Sequence, residues 1–441
     1  MKLNSYLLKA SIVGALGGLL FGFDTAVIAG TTHSLTQVFN LTPWTLGITV
    51  SIALWGTVIG ALFAGIIGQR LGGRNALRIM AVLYIVSSLG CALAWNWPAL
   101  VIFRFIGGLG IGGSSVLAPV YIAELAPAGL RGRLVGMFQI NVVLGILLAY
   151  FSNYCIASIG LGSLEWRWQL GVAAAPALLF FVMLFGIPQS PRWLATQHRV
   201  DEARNVLQLL GSPDYEAELT EIVDSIHLER SQGSEPLFSR KFRYPISLAI
   251  ATGVLNQLAG INAILYYLPS IFMAAGFSKI SGDLQSVAIG GMNLVSTLIF
   301  MALIDKLGRK TLLLIGSVGT ALCLAGVAEI FFTQQHQNRL VWFLVGYIFF
   351  FAPLGAVVWV YIGEIFPNTV RSKGQSLGSS SHWIMNAIIS AVFPVVAKTS
   401  GAYPFVFFAA MMVVQFFVVL FFYPETKGIT LEQMQHRLGI D

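Results

Sequence analysis

Runs of about 20 mostly apolar residues recur along this chain, and a helix of that length is what the hydrocarbon core of a bilayer requires. Twelve such runs are legible: about 8–30, 46–68, 75–96, 99–123, 134–157, 168–188, 245–275, 284–304, 311–333, 340–363, 376–397 and 402–423. In hydrocarbon, backbone N–H and C=O groups must pair within the protein, so such runs fold as helices or as a closed barrel. The alternating ten-residue strands of a barrel are absent from the sequence. The chain therefore reads as an all-α polytopic membrane protein with twelve transmembrane helices. Composition agrees: 56% of its 441 residues are hydrophobic and 10% charged, against roughly 25% charged in soluble chains. The first run is too long for a cleavable signal, contains Asp24 and is followed by no small-residue cleavage site.

The charges sort by loop. With both termini on one side, 21 of the 26 lysines and arginines fall there, while Arg167, Lys279, Arg339 and Lys398 fall opposite and Arg104 lies within a span. This is the positive-inside bias, and it places both termini in the cytoplasm. The net charge of +7 is thus a topological signal. The lipid bilayer is the expected partner and nucleic acid is not. Cys91, Cys155 and Cys323 are scattered in or near apolar runs and suit neither a metal site nor a disulfide framework. No metal and no cofactor is expected.

One long polar stretch, 189–244, interrupts the pattern midway. Within it Leu219, Ile222, Val223 and Ile226 follow the i, i+3, i+4, i+7 spacing of an amphipathic helix, and "DEARNVLQLLG" reads as a shorter helix ending at Gly211. The expected organisation is a six-helix bundle over 1–188, a small cytoplasmic helical domain over 189–244, a second six-helix bundle over 245–424, and a short tail over 425–441. The bundles repeat each other. "ELAPAGLRG" (124–132) and "EIFPNTVRS" (364–372) share E-x-x-P-x-x-x-R at an offset of 240, and "RLGGR" (70–74) and "KLGRK" (306–310) match at an offset of 236. Parallel six-helix repeats are a transporter architecture, with the substrate expected near the midplane between halves.

Asp24 sits inside the first apolar run, where a buried charge costs about 3 kcal/mol or more and calls for a partner. Lys9 is near enough to a helix end to reach water, which leaves Arg104, at the start of the fourth span. Residue chemistry alone allows two roles: a permanent ion pair pinning helix 1 to helix 4, or a carboxylate that takes up and releases a proton. The string Gly108-x-Gly110-x-x-Gly113 fits a dinucleotide motif, but that motif needs a strand before it. Inside a membrane helix, small residues permit close helix packing. No nucleophile–base pair or metal cluster appears in the spans, so an enzyme is not expected.

Taken together, "FGFDTAVIAG", "RFIGGLGIGGSSVLAPVYIAELAPAGLRG", "EWRWQ", "PQSPRWL", "NQLAGINAILYY", "DKLGRK", "WVYIGEIFPNTVR" and "PETKG" resemble the sugar porters of the major facilitator superfamily, over essentially the whole chain. The resemblance implies two six-helix bundles rocking about a central sugar site. Proton-coupled members carry Asp at the position matching Asp24, and the facilitative glucose transporters of animals carry Asn. The implied function is therefore proton/monosaccharide symport, with Asp24 and Arg104 coupling the proton, in a bacterial inner membrane and by a monomer. A uniporter of the same fold and a membrane sugar sensor are the rival readings. The short stretch after "PETKG" speaks against a sensor.

Sugar recognition needs amides that both donate and accept, and an aromatic ring face. The spans supply Gln139, Asn256, Gln257, Asn262, Asn293, Trp359, His382, Trp383 and Asn386. Gln257 and Asn262 are five apart and would point about 140° apart on a regular helix, so a break near Gly260 is expected. The resemblance makes Tyr266 and Tyr267 an outer gate. It makes Glu124, Arg131, Arg192, Asp305, Arg309, Glu364 and Arg371, at cytoplasmic span ends, a network that locks the inner gate. The chain departs from the family pattern at Asn256 and Gln189, where Gln and Glu are usual, at Gln69 and Gly73, and at His382, where relatives have Gln or Asn. Ile146 stands where xylose symporters carry Gln and where the animal glucose transporters resemble this chain with Ile, which favours a hexose such as glucose over xylose; a pentose or polyol symporter of the same fold is a further alternative.

Overall fold

The computed structural model describes residues 4–212, 214–231, 235–367, 369–429 and 431–440, and all of its regular structure is helical. Before the linker come α1 (Ser5–Phe39), α2 (Pro43–Leu71), α3 (Gly73–Ala92), α4 (Trp97–Leu125), α5 (Ala128–Ile159), α6 (Glu165–Gly171) and α7 (Ala174–Met183). The linker holds α8 (Pro191–Thr196), α9 (Val200–Leu209) and α10 (Tyr215–Ser231). After it come α11 (Arg243–Leu258), α12 (Ile261–Tyr266), α13 (Leu268–Ala274), α14 (Lys279–Leu307), α15 (Arg309–Thr333), α16 (Leu340–Glu364), α17 (Arg371–Thr399), α18 (Tyr403–Phe422) and α19 (Leu431–Leu438). Among the described residues twelve segments are long and apolar enough to cross a membrane.

Two differences from the sequence reading have local causes. The first helix continues past residue 30 to Phe39 because its polar side chains are satisfied within it. Thr31, Thr32 and Thr36 hydroxyls donate to the carbonyls of Ile28, Ala29 and Thr32, the back-bonding open to Thr in a helix. The seventh span has the expected break at Gly260, and a second one at Tyr267 that was not expected makes it three helices. Gly260 adopts the left-handed conformation (φ 83°) and Tyr267 ends α12 ahead of Pro269.

The chain forms two compact units: Met1–Val27, Trp55–Ala149 and Arg167–Gly233 in one, and Ile28–Leu54, Tyr150–Trp166 and Ser234–Asp441 in the other. The linker helices belong to the first. They bury Leu194, Ala203, Leu207 and Leu219 against one another, with Trp193, Val206, Tyr215 and Ile222 around them. The indole N–H of Trp193 donates to the Gln69 carbonyl at 2.8 Å, which fastens this small domain to the end of α2.

Each unit carries the same capping device. Gly72 ends α2 in an open conformation (φ 78°) and Gly308 ends α14 likewise (φ 87°). After Gly72, the Gln189 carboxamide accepts from the Arg74 amide (3.0 Å) and donates to the Leu71 carbonyl (3.1 Å). After Gly308, the Glu425 carboxylate accepts from the amides of Arg309 (2.9 Å) and Lys310 (3.0 Å). Gly72 and Gly308 are 236 residues apart, and so are Gln189 and Glu425. The repeat seen in "RLGGR" and "KLGRK" therefore extends to the groups that cap the following helices.

Candidate functional site

In the first unit, Asp24 on α1 and Arg104 on α4 are both buried, 5% and 3% exposed. Arg104 Nη1 lies 3.7 Å from Asp24 Oδ2, beyond the 2.7–3.2 Å of an N–H···O hydrogen bond. Oδ2 has no hydrogen-bond partner among the described residues. The pair is thus in Coulombic contact without being bonded. Gly107, three residues along α4 from Arg104, lets α4 pack closely on α3, since a Cβ there would lie 2.4 Å from Ser87 Oγ. Gln139, on α5 of the same unit, is half-buried.

In the second unit the broken helix assembles a polar chain. With Gly260 turning the backbone between them, Asn262 Nδ2 donates to Gln257 Oε1 at 3.0 Å. Gln257 Nε2 in turn meets His382 Nε2 at 3.0 Å. The His382 ring lies 4.9 Å from that of Trp359 and 5.2 Å from that of Trp383. Trp359 keeps 38% of its surface exposed while His382 and Trp383 keep 7% each, so the Trp359 ring is the open aromatic face of the group. Asn293, on α14, is half-buried.

Two expected sugar-contacting amides are engaged by the protein. Asn256 accepts from Gln257 Nε2 at 3.4 Å and lines a cavity of about 10 Å³ with Thr252, Gln415 and Tyr423. Asn386, fully buried, donates to the Tyr266 hydroxyl (3.2 Å) and accepts from Ser390 Oγ (3.1 Å). Tyr266 and Tyr267 are 2% exposed. Tyr267 donates to the Ser390 carbonyl at 3.0 Å and stacks on Phe393. Both tyrosines therefore join the broken helix to α17.

The charges at the linker-side helix ends form separate groups. In the second unit, Arg309 grips Glu364 with two bonds (Nη2–Oε1 2.8 Å, Nε–Oε2 3.1 Å), and Thr426 donates to the same carboxylate at 2.5 Å. Arg371 Nε and Nη2 are buried without a hydrogen bond among the described residues. The Asp305 side chain lies outside the described residues. In the first unit Glu124 accepts from the Ser190 hydroxyl and feels Arg192. Arg192 donates to Ser225 of the linker at 3.2 Å, and Arg131 is exposed. Sequence reasoning did not single out Glu425 and Thr426 for this group. Their position in "PETKG", at the repeat offset from "PQSPR", was the signal that could have found them.

The sequence model of the family described as "Sugar (and other) transporter" matches residues 10–438. The D-xylose-proton symporter of Escherichia coli (strain K12) is 35% identical, over 98% of this chain and 96% of its own length. The glucose transport protein of Synechocystis is 37% identical, over 97% of each chain. Among solved structures, the inward-open conformation of the xylose transporter XylE from E. coli superposes with a TM-score of 0.88 at 34% identity. It covers 98% of this chain and 100% of that one.

Proposed function

This chain belongs to the sugar transporter family and has the major facilitator fold, and from that premise we propose that it carries a monosaccharide and a proton together across a bacterial plasma membrane. The observation that carries the reading is the Asp24–Arg104 pair, buried, 3.7 Å apart and, among the described residues, without a hydrogen bond on Asp24 Oδ2. A purely structural pin would be expected to close to bonding distance. A carboxylate left at Coulombic range can be protonated without first breaking a bond.

Asp24, ionised, holds Arg104 and favours the state open to the outside. A proton from outside removes that attraction, and the loaded protein closes. Loss of the proton inside restores the pair. Each proton moving through 100 mV contributes about 2.3 kcal/mol, enough for roughly fiftyfold accumulation at full coupling. Both termini face the cytoplasm in this reading, as the sorting of basic residues supports.

The sugar is a glucose-like hexose. Its hydroxyls bond to Gln257, Asn262 and His382, and its ring lies on Trp359, with Asn293 as a further contact. The Asn293 side chain makes no hydrogen bond with a described residue. Asn256 and Asn386 act through Gln257 and Tyr266, to which they are bonded. The apolar Ile146 and the likeness to a glucose transport protein support the hexose.

The test is sugar uptake in proteoliposomes, over glucose, galactose, xylose and myo-inositol, for wild type and Asp24→Asn. The variant is expected to keep counterflow and to lose pH-driven accumulation. Undiminished accumulation by the variant would return Asp24 to a structural role, and wild-type uptake indifferent to a pH gradient would make the protein a uniporter.

A further inference from the structure

Asp24 is not the only carboxyl buried in a span. Asp283, on the first turns of α14, is 2% exposed, and its Oδ2 has no hydrogen-bond partner among the described residues. It lies at the end of the span away from the linker, inside the second unit. One turn before it on the same helix is Lys279, at the i, i+4 spacing that brings side chains together. Lys279 does not bond to Asp283. Its Nζ lies 2.5 Å from Glu165 Oε1, at the start of α6, and 3.5 Å from Ser34 Oγ on α1. That one contact joins segments from both six-helix halves of the sequence.

Lys279 and Glu165 are the charged groups that reach Asp283. The α13 residues against this turn, Pro269 and Phe272, are neutral. His33, beside Ser34, is exposed and bonded to Gln37, and Arg167 donates to the Ala92 carbonyl. One ammonium thus stands between two carboxyls. Like charges sharing a site do not both ionise readily, and an ionised carboxylate buried without a partner is costly.

We propose that Asp283 is a second proton-binding site, filled when Lys279 ties Glu165 and emptied when Lys279 turns to Asp283. The proton comes from water at the outer face and binds a carboxylate oxygen of Asp283. Lys279 is then free of its own helix and bridges to Glu165. On release, the ionised Asp283 recaptures the ammonium and the bridge opens. The bridge between the halves is thereby linked to a proton that is not the one on Asp24. This inference rests on the transport reading for its side of the membrane and its consequence, but not for the site itself.

Two measurements test it on the full-length protein. The first is an acid–base infrared difference spectrum of purified wild type and Asp283→Asn without sugar. A carboxylic C=O band present in wild type and lost in the variant is expected. An unchanged band overturns the proposal, and this readout survives failure of the transport reading. The second is sugar counterflow between about pH 5 and about pH 8 in an Asp24→Asn background, where the first proton site is gone. The single variant is expected to change rate by roughly threefold or more across that range, Asp24→Asn/Asp283→Asn to be flat, and Asp24→Asn/Asp283→Glu to regain the slope. A flat profile in the single variant, or the same slope in both Asp283 variants, overturns it.

Discussion

Gln257 has one donor end and one acceptor end, and both are taken. Its Oε1 accepts from Asn262 and its Nε2 donates to His382 Nε2. For that bond, His382 must offer a lone pair on Nε2 and so be neutral with its proton on Nδ1. The imidazole therefore fixes which way the Gln257 amide faces, and through it the polarity that Asn262 presents. His382→Phe keeps a ring between the tryptophans but removes the acceptor, leaving a buried donor unpaired at a cost of about 1–3 kcal/mol. Sugar binding, followed by quenching of Trp359 and Trp383 fluorescence, is expected to weaken by roughly tenfold. His382→Gln restores an acceptor and is expected to stay within about threefold of wild type. Equal losses in the two variants would show that the ring, not the lone pair, is what matters. The sequence marked His382 as unusual but left its partner open. A hydrogen bond's direction depends on a neighbour 125 residues away.

At the scale of elements, apolar run length and one glycine made much of this protein legible. The break at Gly260 was readable because two polar residues five apart share a cavity face only if the helix is interrupted. A Cβ at Gly260 would also lie 2.3 Å from the Phe408 ring, so packing reinforces the backbone requirement. The caps were harder to see. Gln189 looked like a lost charge, yet its amide donates to Leu71 and accepts from Arg74, and a carboxylate could not donate. Glu425, 116 residues from the helix it caps, shows no local pattern at all. Burial pushes its carboxyl up, but the backbone amides of Lys427, Arg309, Lys310 and Thr426 outweigh that and hold it below the usual range. A depressed carboxyl stabilises the fold above its ordinary value and loses that contribution as pH falls through its native one. Glu425→Gln is therefore expected to lower stability by about 1–2 kcal/mol near neutral pH. The gap to wild type should begin to narrow near the ordinary glutamate value of about 4.3 and be largely closed by about pH 2. Thermal unfolding of the purified protein near neutral pH and at about pH 2 checks this. A gap of the same size in acid would place the stabilisation in shape rather than in charge.

For the whole molecule, the duplication divides the sequence after the sixth span, but the compact units divide it differently. Residues 28–54 and 150–166 pack with the C-terminal helices. The contacts are specific: Tyr150 donates to the Leu265 carbonyl at 2.6 Å, and the Thr32 and Ser270 hydroxyls are 2.9 Å apart. No periodicity in the sequence encodes them, because each joins residues more than 100 positions apart and neither partner is unusual alone. Within the second unit α2 also comes very close to α17. A Cβ at Gly47 would lie 2.0 Å from the Ala391 carbonyl oxygen, and backbone cannot yield as a side chain can. If transport alternates access, contacts at this end form and break once per cycle, and a side chain that prevents their forming stops the cycle without removing the sugar site. Gly47→Trp is accordingly expected to slow both net uptake and counterflow by at least about tenfold. Sugar binding to the purified protein should stay close to wild type, since Gly47 lies outside the polar chain of Gln257, Asn262 and His382. Counterflow at the wild-type rate would mean that α2 and α17 need not meet during transport. Loss of binding together with transport would mean that the wedge reaches the site and that the two ends of the second unit are not mechanically separable.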